Sequence, residues 1–489
     1  MKITCLRSTL LYLFFISIAI FSAGCSKTPA STTTVLVPTV STTNVIINLT
    51  ATTAQSAGVI LSNGGGTITT NGVCYSSTNT TPTVTDSKTS DPVSAAGTTY
   101  TAFSSNITGL TPNTKYYLRA YASNSAGAGY GGVLTFTTSS NTTTTIATVS
   151  TFAGSGTAGF LDGVGTGAQF NNPQGLTFDA AGNLYVADSF NDEVRQVTST
   201  GTTSTIAGNQ TIGLVNGAAL SAEFYAPSSQ AFDSQGNLYV SDFGNNVIRK
   251  ITPAGVVSTY AGTGIAGYRN GAKDSTNLKS TTDSLAYFNN PRGLAVDASG
   301  NVFVADQGNN VIREIMTNGR TKTIAGNKVK GFIDATDAAA FFNEPSGVAV
   351  AADGTLYVTD QGNSSFRKIT SGGVVTTVCG NPTQTTLFNA PSAITIDSKG
   401  NVYFVDEGGR VYEYTTASVL NIIAGTFNSP GYTNGIGSSA QFNNPQGIAV
   451  DASGNIFVAD QYNNVIREIT FSIGNINVAR KTPVTLVHK

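Results

Sequence analysis

One unit of sequence recurs six times between residues 147 and 471, and this repetition restricts the fold more than any other feature. Each copy opens with Phe, two further residues and Pro; the opening residues are Phe170, Phe224, Phe288, Phe342, Phe388 and Phe442. Apolar runs separated by Gly, Asn and Asp follow in each copy. Short apolar runs with such turn residues predict four antiparallel strands per copy.

The second run of each copy is apolar on both faces of the predicted strand, as in Leu184–Ala187 and Val302–Ala305. A strand of this kind needs cover on both sides, which a lone sheet of four strands does not provide. Sheets stacked face to face around an axis do provide it. The sequence therefore predicts an all-β chain with a six-bladed β-propeller of four-stranded blades over residues 147–471.

The consensus of the copies is Pro-x-Gly-apolar-x-apolar-Asp, then Gly-Asn-apolar-Tyr-Val-Ala-Asp, then Asn-x-apolar-Arg. This pattern closely resembles NHL repeats, and the resemblance covers about 320 residues. The fifth copy departs from it, because its turn at Gly408-Gly409 is one residue shorter and Tyr412 replaces the usual Arg.

The sixth copy lacks its fourth apolar run, and a matching segment, Val149–Gly154, stands before the first copy. We therefore expect the N-terminal segment to complete the last blade, which would close the ring and remove an open sheet edge. The competing candidate is Asn475–Val478 in a C-terminal tail, 472–489, but it lacks the Ala-Gly ending.

Residues 37–138 alternate short apolar runs with Gly, Asn and Ser, which predicts a small β-sandwich. The stretches Leu110–Tyr116 and Ala120–Gly127 resemble fibronectin type III domains, in which the Tyr bonds back to the chain. Gly72–Cys74 resembles the variety found in exported proteins of Bacteroidetes, with Tyr75 where Trp is usual. The resemblance implies a spacer or adhesion module, joined to the propeller by a linker at 139–146.

Residues 1–24 have a positive end and an apolar core from Leu10 to Phe21, the pattern of an export signal. The signal ends in Ser22-Ala23-Gly24-Cys25, which resembles a bacterial lipobox and implies lipidation of Cys25. We expect a cell-envelope protein held to the membrane by its lipid, with 25–36 as a tether and the outer membrane favoured. An ordinary secretory signal is the alternative, and the membrane side is open.

The net charge and the histidine content restrict which functions the chain can have. The formal net charge of −1 argues against nucleic acid as a partner, and the only His, His488, lies outside the repeats. Lyases related to NHL proteins rely on His, so we expect a non-catalytic recognition or scaffold protein without a cofactor, binding protein or glycan. The alternative is a lactonase-like hydrolase or lyase with a carboxylate-held divalent metal. The recurring Asp and Arg are expected to be structural, and Cys74 and Cys379 to be buried.

The predicted binding face carries the loops between blades, which are the longest and most variable segments. The residue after each opening Pro should lie near the mouth of the central channel; the six are Gln174, Ser228, Arg292, Ser346, Ser392 and Gln446. A single Arg among neutral donors suits a carboxylate or another small anion. The alternative is a mouth filled by ordered water. Tyr268 and Arg269, in the longest loop, are further candidates for contacts.

Overall fold

The computed structural model of the protein describes residues 34–93, 101–139, 144–271, 285–383 and 387–474. Cys25, residues 1–33 and the tail beyond 474 lie outside these ranges, so the predicted signal and lipobox do too. Within them, no helix has the length and apolar character needed to cross a membrane. The structure is all-β, with several sheets of four or five strands, which is consistent with a β-propeller.

The N-terminal part consists of short and long antiparallel strands in two groups, β1-β3-β6 with β2, and β5-β4-β7-β8 with β9. Their side chains form two buried clusters, the larger of which includes Ile46, Val73 and Tyr116. The Tyr116 hydroxyl accepts a hydrogen bond from the Thr111 backbone N–H at 3.1 Å, as the fibronectin resemblance implies. The strands are β1 Thr39–Thr42, β2 Ile46–Ile47, β3 Thr53–Ser62, β4 Thr70–Ser76, β5 Ser87–Lys88, β6 Thr101–Thr108, β7 Lys115–Asn124, β8 Gly127–Tyr130 and β9 Leu134–Thr137.

The repeats form further antiparallel sheets, which we number 1 to 6 in chain order. Sheet 1 and the strand preceding it contain β10 Thr144–Ala153, β11 Gly163–Val164, β12 Pro173–Phe178, β13 Leu184–Asp188, β14 Glu193–Val197 and β15 Thr202–Ala207. Sheet 2 contains β16 Gly217–Ala218, β17 Pro227–Phe232, β18 Leu238–Asp242, β19 Val247–Ile251 and β20 Val256–Ala261. Sheet 3 contains β21 Pro291–Val296, β22 Val302–Asp306, β23 Val311–Ile315 and β24 Thr321–Ala325.

Sheets 4 to 6 follow the same pattern. Sheet 4 contains β25 Pro345–Val350, β26 Leu356–Asp360, β27 Ser365–Ile369 and β28 Val375–Gly380. Sheet 5 contains β29 Pro391–Ile396, β30 Val402–Asp406, β31 Val411–Tyr414 and β32 Val419–Ala424. Sheet 6 contains β33 Gly435–Ile436, β34 Pro445–Val450, β35 Ile456–Asp460 and β36 Val465–Gly474, together with β10. Short 3-10 turns lie at Gly165–Gly167, Ser189–Asn191, Ala219–Ser221, Phe243–Asn245, Gln307–Asn309, Asp337–Ala339, Gln361–Asn363, Gly437–Ser439 and Gln461–Asn463.

The first strands of sheets 1 to 6 contact one another in chain order, and β34 of sheet 6 contacts β12 of sheet 1. The sheets are therefore arranged in a closed cycle in which sheets 3 and 6 face each other across the axis. Neighbouring first strands approach closely, so that a Cβ added at Gly175 would lie 2.6 Å from the Ser229 Cα atom. This approach explains the Gly of the repeated Pro-x-Gly.

The cycle closes as the sequence predicts. Strand β10 pairs antiparallel with β36, placing Val149 opposite Ile469 and Thr151 opposite Arg467. The competing segment, Asn475–Val478, lies outside the described residues. The N-terminal strand thus supplies the outer strand of sheet 6.

The sequence did not predict how the N-terminal part joins the cycle. Strand β2 pairs in parallel with β32, the outer strand of sheet 5, with Ile46 opposite Val419 and Ile47 opposite Leu420. Ile46 packs into the N-terminal core, whereas Val45 and Ile47 pack into the core of sheets 4 and 5. One short strand therefore belongs to both parts of the chain.

Candidate binding site at the channel mouth

The recurring Asp and Arg are structural, as expected. In sheet 3, Arg313 Nη1 donates to Asp306 Oδ2 at 2.8 Å, both side chains are fully buried, and the guanidinium lies over the Phe288 ring. The other Asp oxygen accepts from the backbone N–H that follows the opening Phe, here Asn289 at 2.8 Å. Equivalent pairs join Asp188 to Arg195, Asp242 to Arg249, Asp360 to Arg367 and Asp460 to Arg467.

This arrangement positions the channel mouth. Each opening Pro pairs with the Asp at the end of the second strand, as Pro291 pairs with Asp306. The residues after each Pro and after each Asp therefore lie at one end of the cycle and form two rings. The first ring is the predicted one, and the second consists of Ser189, Phe243, Gln307, Gln361, Glu407 and Gln461.

Ser228, Arg292, Ser346, Ser392 and Gln446 of the first ring line a central cavity with a volume of about 200 Å³. The serines are buried and bond to the next sheet: Ser346 Oγ donates to the Pro391 carbonyl oxygen, and Ser392 Oγ to the Pro445 carbonyl oxygen, each at 2.9 Å. Ser228 Oγ makes a longer bond of 3.3 Å to the Arg292 carbonyl oxygen. The serine hydroxyls thus link the sheets rather than offering free donors.

Arg292 extends across the mouth. Its Nη1 atom donates to Gln361 Oε1 of sheet 4 at 2.8 Å, and its Nη2 atom donates to Gln446 Oε1 of the opposite sheet, sheet 6. Gln174 lies apart from this network, with its amide 3.1 Å from Ser189 Oγ. The structure therefore brings together Arg292 and Gln446, whereas Gln174 bonds locally.

Glu407 completes the network, and the sequence analysis did not identify it. Its Oε1 atom accepts from Gln361 Nε2 at 2.6 Å and from Gln446 Nε2 at 3.1 Å. Two neutral amides thus lie between the Arg292 cation and the Glu407 anion. The signal was present in the sequence, since Glu407 is the only charged residue that follows a repeated Asp.

The charges at the mouth balance. Burial lowers the pKa of the Arg292 guanidinium from its ordinary value, and the carboxylates of Glu407 and Glu344 oppose that change. With Glu407 so close, the mouth suits a ligand that carries both acceptor and donor groups better than a simple anion. The arrangement offers a fork of N–H donors on one side and a carboxylate on the other.

Exposed aromatic rings lie on the same face of the cycle as this polar network. Phe190 and Tyr462 occupy the 3-10 turns of sheets 1 and 6 and are 61% and 59% exposed, and Tyr225, which follows the opening Phe of sheet 2, is 43% exposed. Sheets 6, 1 and 2 are neighbours in the cycle. We call these three residues the aromatic arc. Large exposed rings grouped on one face are a common feature of binding surfaces.

Tyr268 and Arg269 lie elsewhere. The Tyr268 hydroxyl bonds to Thr323 Oγ1 at 2.8 Å on the outer strand of sheet 3, and its ring lies under Arg313 and Lys328. Arg269 lies over the Tyr287 ring. Both residues are half-buried, and they line the outer edge of sheet 3 rather than the channel mouth.

Below the mouth, an aliphatic residue occupies the same position in five of the sheets: Leu176, Leu294, Val348, Ile394 and Ile448. Sheet 2 differs, because its equivalent residue is Gln230. Gln230 is 3% exposed, and its Oε1 atom has no hydrogen-bond partner. Its Nε2 atom makes one long bond, 3.4 Å, to the Gly175 carbonyl oxygen. The sequence signal is the loss of the Pro-x-Gly-apolar pattern at Pro227–Gln230, which the sequence analysis missed.

The repeated Asp turns and the two cysteines have structural roles in the fold. The Asp179 carboxylate closes its own turn by accepting from the Ala181 and Asn183 N–H groups, at 2.9 and 2.8 Å. Cys74 and Cys379 are buried free thiols, and burial raises the pKa of Cys74 to about 11. Across the described ranges, no three His, Cys, Asp or Glu side chains are grouped in a way that could hold a metal ion.

Comparison with protein families gives two matches. The NHL repeat model matches residues 288–313, 342–369 and 442–467, which lie in sheets 3, 4 and 6, so the chain carries NHL repeats. The model of alkaline phosphatase PhoX matches residues 86–223, from the N-terminal part into sheet 2. Each match covers less than half of the chain.

Curated relatives share only part of their length with this chain. It is 26% identical over 337 residues to the chloroplastic protein SUPPRESSOR OF QUENCHING 1 of Arabidopsis thaliana, covering 65% of this chain and 27% of that protein. It is 31% identical over 160 residues to human NHL repeat-containing protein 2, covering 30% of this chain and 21% of that protein. The chain thus spans about a quarter of the length of these relatives.

Among solved structures, a Bacteroides thetaiotaomicron protein of unknown function aligns with a TM-score of 0.50 and 17% identity, covering 89% of this chain and 98% of that one. An auxiliary nutrient binding protein from the same species aligns with a TM-score of 0.49 and 14% identity, covering 88% and 98%. At this level of identity the first alignment supports the fold alone.

Proposed function

We propose that this chain is a non-catalytic binding protein of the bacterial cell envelope. In this proposal residues 147–471 form a six-bladed NHL propeller, residues 37–138 form a fibronectin type III-like sandwich, and Cys25 carries the lipid anchor. The ligand is a protein or a glycan, and it binds the face that carries the channel mouth. The lipid anchor holds this face outside the inner membrane, with the outer membrane favoured.

The observation that carries the proposal is the aromatic arc on the same face as the Arg292–Glu407 network. Exposed rings supply apolar contact area, while the network supplies donors and acceptors that can orient a polar ligand. Sugars and peptides both combine apolar faces with hydroxyl or amide groups, and Tyr and Phe can serve as platforms in a chain without Trp. Arg292 and Glu407 are both hydrogen-bonded to the amides of Gln361 and Gln446. A binding role uses these groups as they stand and does not require a reactive side chain.

A binding test uses the mature full-length chain against two panels, soluble envelope glycan fragments and short peptides, followed by thermal shift and calorimetry. We expect members of one panel to raise the Tm. The double variant Phe190→Ala with Tyr462→Ala should weaken their binding by about tenfold or more, as truncation of interface aromatics does. Phe471→Ala, which removes an exposed ring from β36, is the matched control and should bind as the wild type does.

The same preparation should be assayed for hydrolysis of phosphate monoesters, because of the PhoX match, and of lactones with added divalent cations. Turnover that persists in the purified chain and is lost on adding a chelator would replace the binding proposal with an enzymatic one. An unchanged affinity in the aromatic double variant would move the binding face elsewhere.

A further inference from the structure

Two departures from the repeat meet at the channel mouth, although they lie in sheets that are not neighbours. Arg292 of sheet 3 stands where the other copies have Ser or Gln, and Glu407 of sheet 5 stands where the others have Ser, Phe or Gln. Both bind the same two amides, those of Gln361 and Gln446. Because sheet 4 lies between sheets 3 and 5, packing between adjacent sheets does not require this pair. The pair therefore belongs to the axis of the cycle rather than to a contact between two sheets.

The two amides hold the opposite charges apart. Among the described residues, Arg292 and Glu407 form no direct ion pair. Each Gln amide places its oxygen on the cation and its nitrogen on the anion. An α-amino carboxylate offers the same pattern, because its carboxylate and its ammonium are attached to one carbon. It carries a full charge at each end, and charge-assisted hydrogen bonds are stronger than those of neutral amides.

Both charged side chains keep atoms that are open to a ligand. Arg292 and Glu407 are half-buried, and across the described residues neither Arg292 Nε nor Glu407 Oε2 has a hydrogen-bond partner, although neither atom is buried. The repeated Arg side chains differ, because their Nε atoms are buried, as in Arg313 and Arg367. A guanidinium has more N–H donors than the two that the amides use, so a carboxylate can bind Arg292 without displacing them. Glu407 Oε2 is likewise free to accept from an ammonium.

The direction of approach follows from the position of Arg292. Its side chain reaches from sheet 3 to Gln446 of the opposite sheet, so it spans the axis at the level of the mouth. A ligand therefore approaches from solvent and meets Arg292 and Glu407 with its charged groups first. Any substituent on its α-carbon points away from the channel. The site thus recognises the head group, and the side chain of the ligand lies on the face that carries the aromatic arc.

We propose that the channel mouth binds an α-amino carboxylate, with its carboxylate accepting from Arg292 and its ammonium donating to Glu407 Oε2. The group belongs either to a free amino acid or to the end of a larger ligand, and the chemistry that recognises it is the same. Gln361 and Gln446 keep their bonds to both charged residues and hold them at the spacing of the ligand. This inference rests on the proposed binding role of this face and specifies the chemistry at its centre.

The test uses calorimetry on the mature full-length chain with L-alanine, with propionate, which lacks the ammonium, and with ethylamine, which lacks the carboxylate. Alanine should bind about tenfold or more tightly than either, because each lacks one charged hydrogen-bonding group. Arg292→Ser and Glu407→Gln restore residue types that other sheets have at these positions, so both variants should fold with a Tm near that of the wild type. Arg292→Ser should weaken alanine binding by about tenfold or more, and Glu407→Gln should bind alanine no better than propionate.

Two isomeric dipeptides distinguish the sources of the group. γ-Glutamylalanine keeps a free ammonium and a free carboxylate on one carbon, whereas in α-glutamylalanine that carboxylate is part of the peptide bond. The γ isomer should bind and the α isomer should bind at least about tenfold more weakly. Equal affinity for the γ isomer and alanine assigns the site to free amino acids. A γ isomer that binds more tightly than alanine assigns it to the end of a larger ligand.

Glu314→Gln is the matched control. It removes the same charge from sheet 3 at the end away from the mouth, where Glu314 pairs with the exposed Lys322, and it should leave all affinities unchanged. Equal affinity for alanine and propionate in the wild type, a preference that survives in Glu407→Gln, full binding by Arg292→Ser, or no binding of alanine and γ-glutamylalanine overturns the proposal. If a glycan or peptide of the panels still binds in that case, only the head group is wrong and the proposed function stands.

Discussion

At the scale of single residues, the repeated Asp–Arg pairs hold each sheet to the loop that precedes it. Arg313 donates to Asp306, to the Arg269 and Tyr287 carbonyl oxygens and to Asn270 Oδ1, and all of these bonds are buried or partly buried. A buried charge pair is weak support for stability on its own, but removing one partner leaves an uncompensated charge. The pairs are therefore costly to break wherever they recur.

We expect Arg313→Ala to lower the free energy of unfolding by about 3–5 kcal/mol, because it leaves the Asp306 carboxylate buried and unpaired. Urea unfolding followed by circular dichroism measures the change. Arg320→Ala, at an exposed turn of the same sheet, should stay within about 0.5 kcal/mol of the wild type. Similar values for the two variants would contradict the structural role of the pairs.

Sheet 5 has a neutral partner, Tyr412, in place of the Arg, and its buried Asp406 titrates within an accessible pH range. Tyr412 donates to Asp406 at 3.0 Å, and burial raises the pKa of Asp406 to about 6. The unfolded chain has its Asp pKa near 3.9, so between about pH 4 and pH 6 the folded state binds a proton that the unfolded state does not. The contribution of Asp406 to stability therefore falls as pH rises through this window.

Asp406→Asn removes that titration. The unfolding free energy of the variant, relative to the wild type, should rise by about 2–3 kcal/mol between pH 4 and pH 7. Thermal unfolding measured in steps across this range provides the test. The same difference between variant and wild type at every pH would show that Asp406 does not titrate in the window.

The sequence predicted the roles of the repeated residues but not those of the residues that depart from the repeat. The Asp–Arg pairs and the position of Arg292 near the channel follow from the repeat, because each copy places equivalent residues at equivalent depths. Glu407 and Gln230 were missed for the same reason, since both are departures from the repeat, and a consensus hides the copy that differs. The bonds from the serine hydroxyls to the next sheet depend on the spacing between sheets, which the sequence does not contain.

At the scale of strands and loops, the departures of sheet 5 have a common cause. In the other sheets, a segment of the preceding loop covers the outer strand, as Gly217–Ala218 covers β20, and an Asx in that loop accepts from the Arg. The opening Phe388 follows Phe342 by only 46 residues, against 54 or 64 elsewhere. In sheet 5, Tyr412 stands in place of the Arg, and β2 pairs with the outer strand β32.

We expect Ile47→Asp to detach the N-terminal part from sheet 5, since Ile47 is only 7% exposed and packs with Leu420 and Tyr412. The loss should be about 2–5 kcal/mol, the range for removing a large buried aliphatic side chain. Hydrogen exchange should become faster in Val419–Ala424 and stay slow in β30. Leu36→Asp, at a side chain that is 65% exposed in the same part of the chain, is the control. Unchanged exchange in Val419–Ala424 would contradict the docking.

The sequence was a better guide to strands than to their partners. It predicted the four strands of each repeat and the closing role of Val149–Gly154, because both follow from turn residues and from counting the missing run. It treated the N-terminal part as a separate unit joined by a linker. The edge of sheet 5 attracts β2 through backbone groups, which leave no pattern in the side chains.

At the scale of the whole molecule, anchoring and recognition are separate claims. Replacing Cys25 by Ala should release the protein from the membrane fraction or leave its precursor uncleaved, because the acylated thiol is the proposed anchor. Cell fractionation followed by mass measurement of the mature chain distinguishes released, uncleaved and lipidated protein. A variant that is processed and fractionates as the wild type does would contradict lipidation without touching the binding proposal.

The central claim, that ligands bind the face with the channel mouth, is tested most directly by hydrogen–deuterium exchange on the full mature chain. The probe is whichever glycan fragment or peptide of the panels raises the Tm most. We predict slower exchange in the 3-10 turns Ser189–Asn191, Gln361–Asn363 and Gln461–Asn463, which surround the mouth. Protection confined to the opposite face, at the turns that follow Asp179, Asp297 and Asp451, would contradict the account.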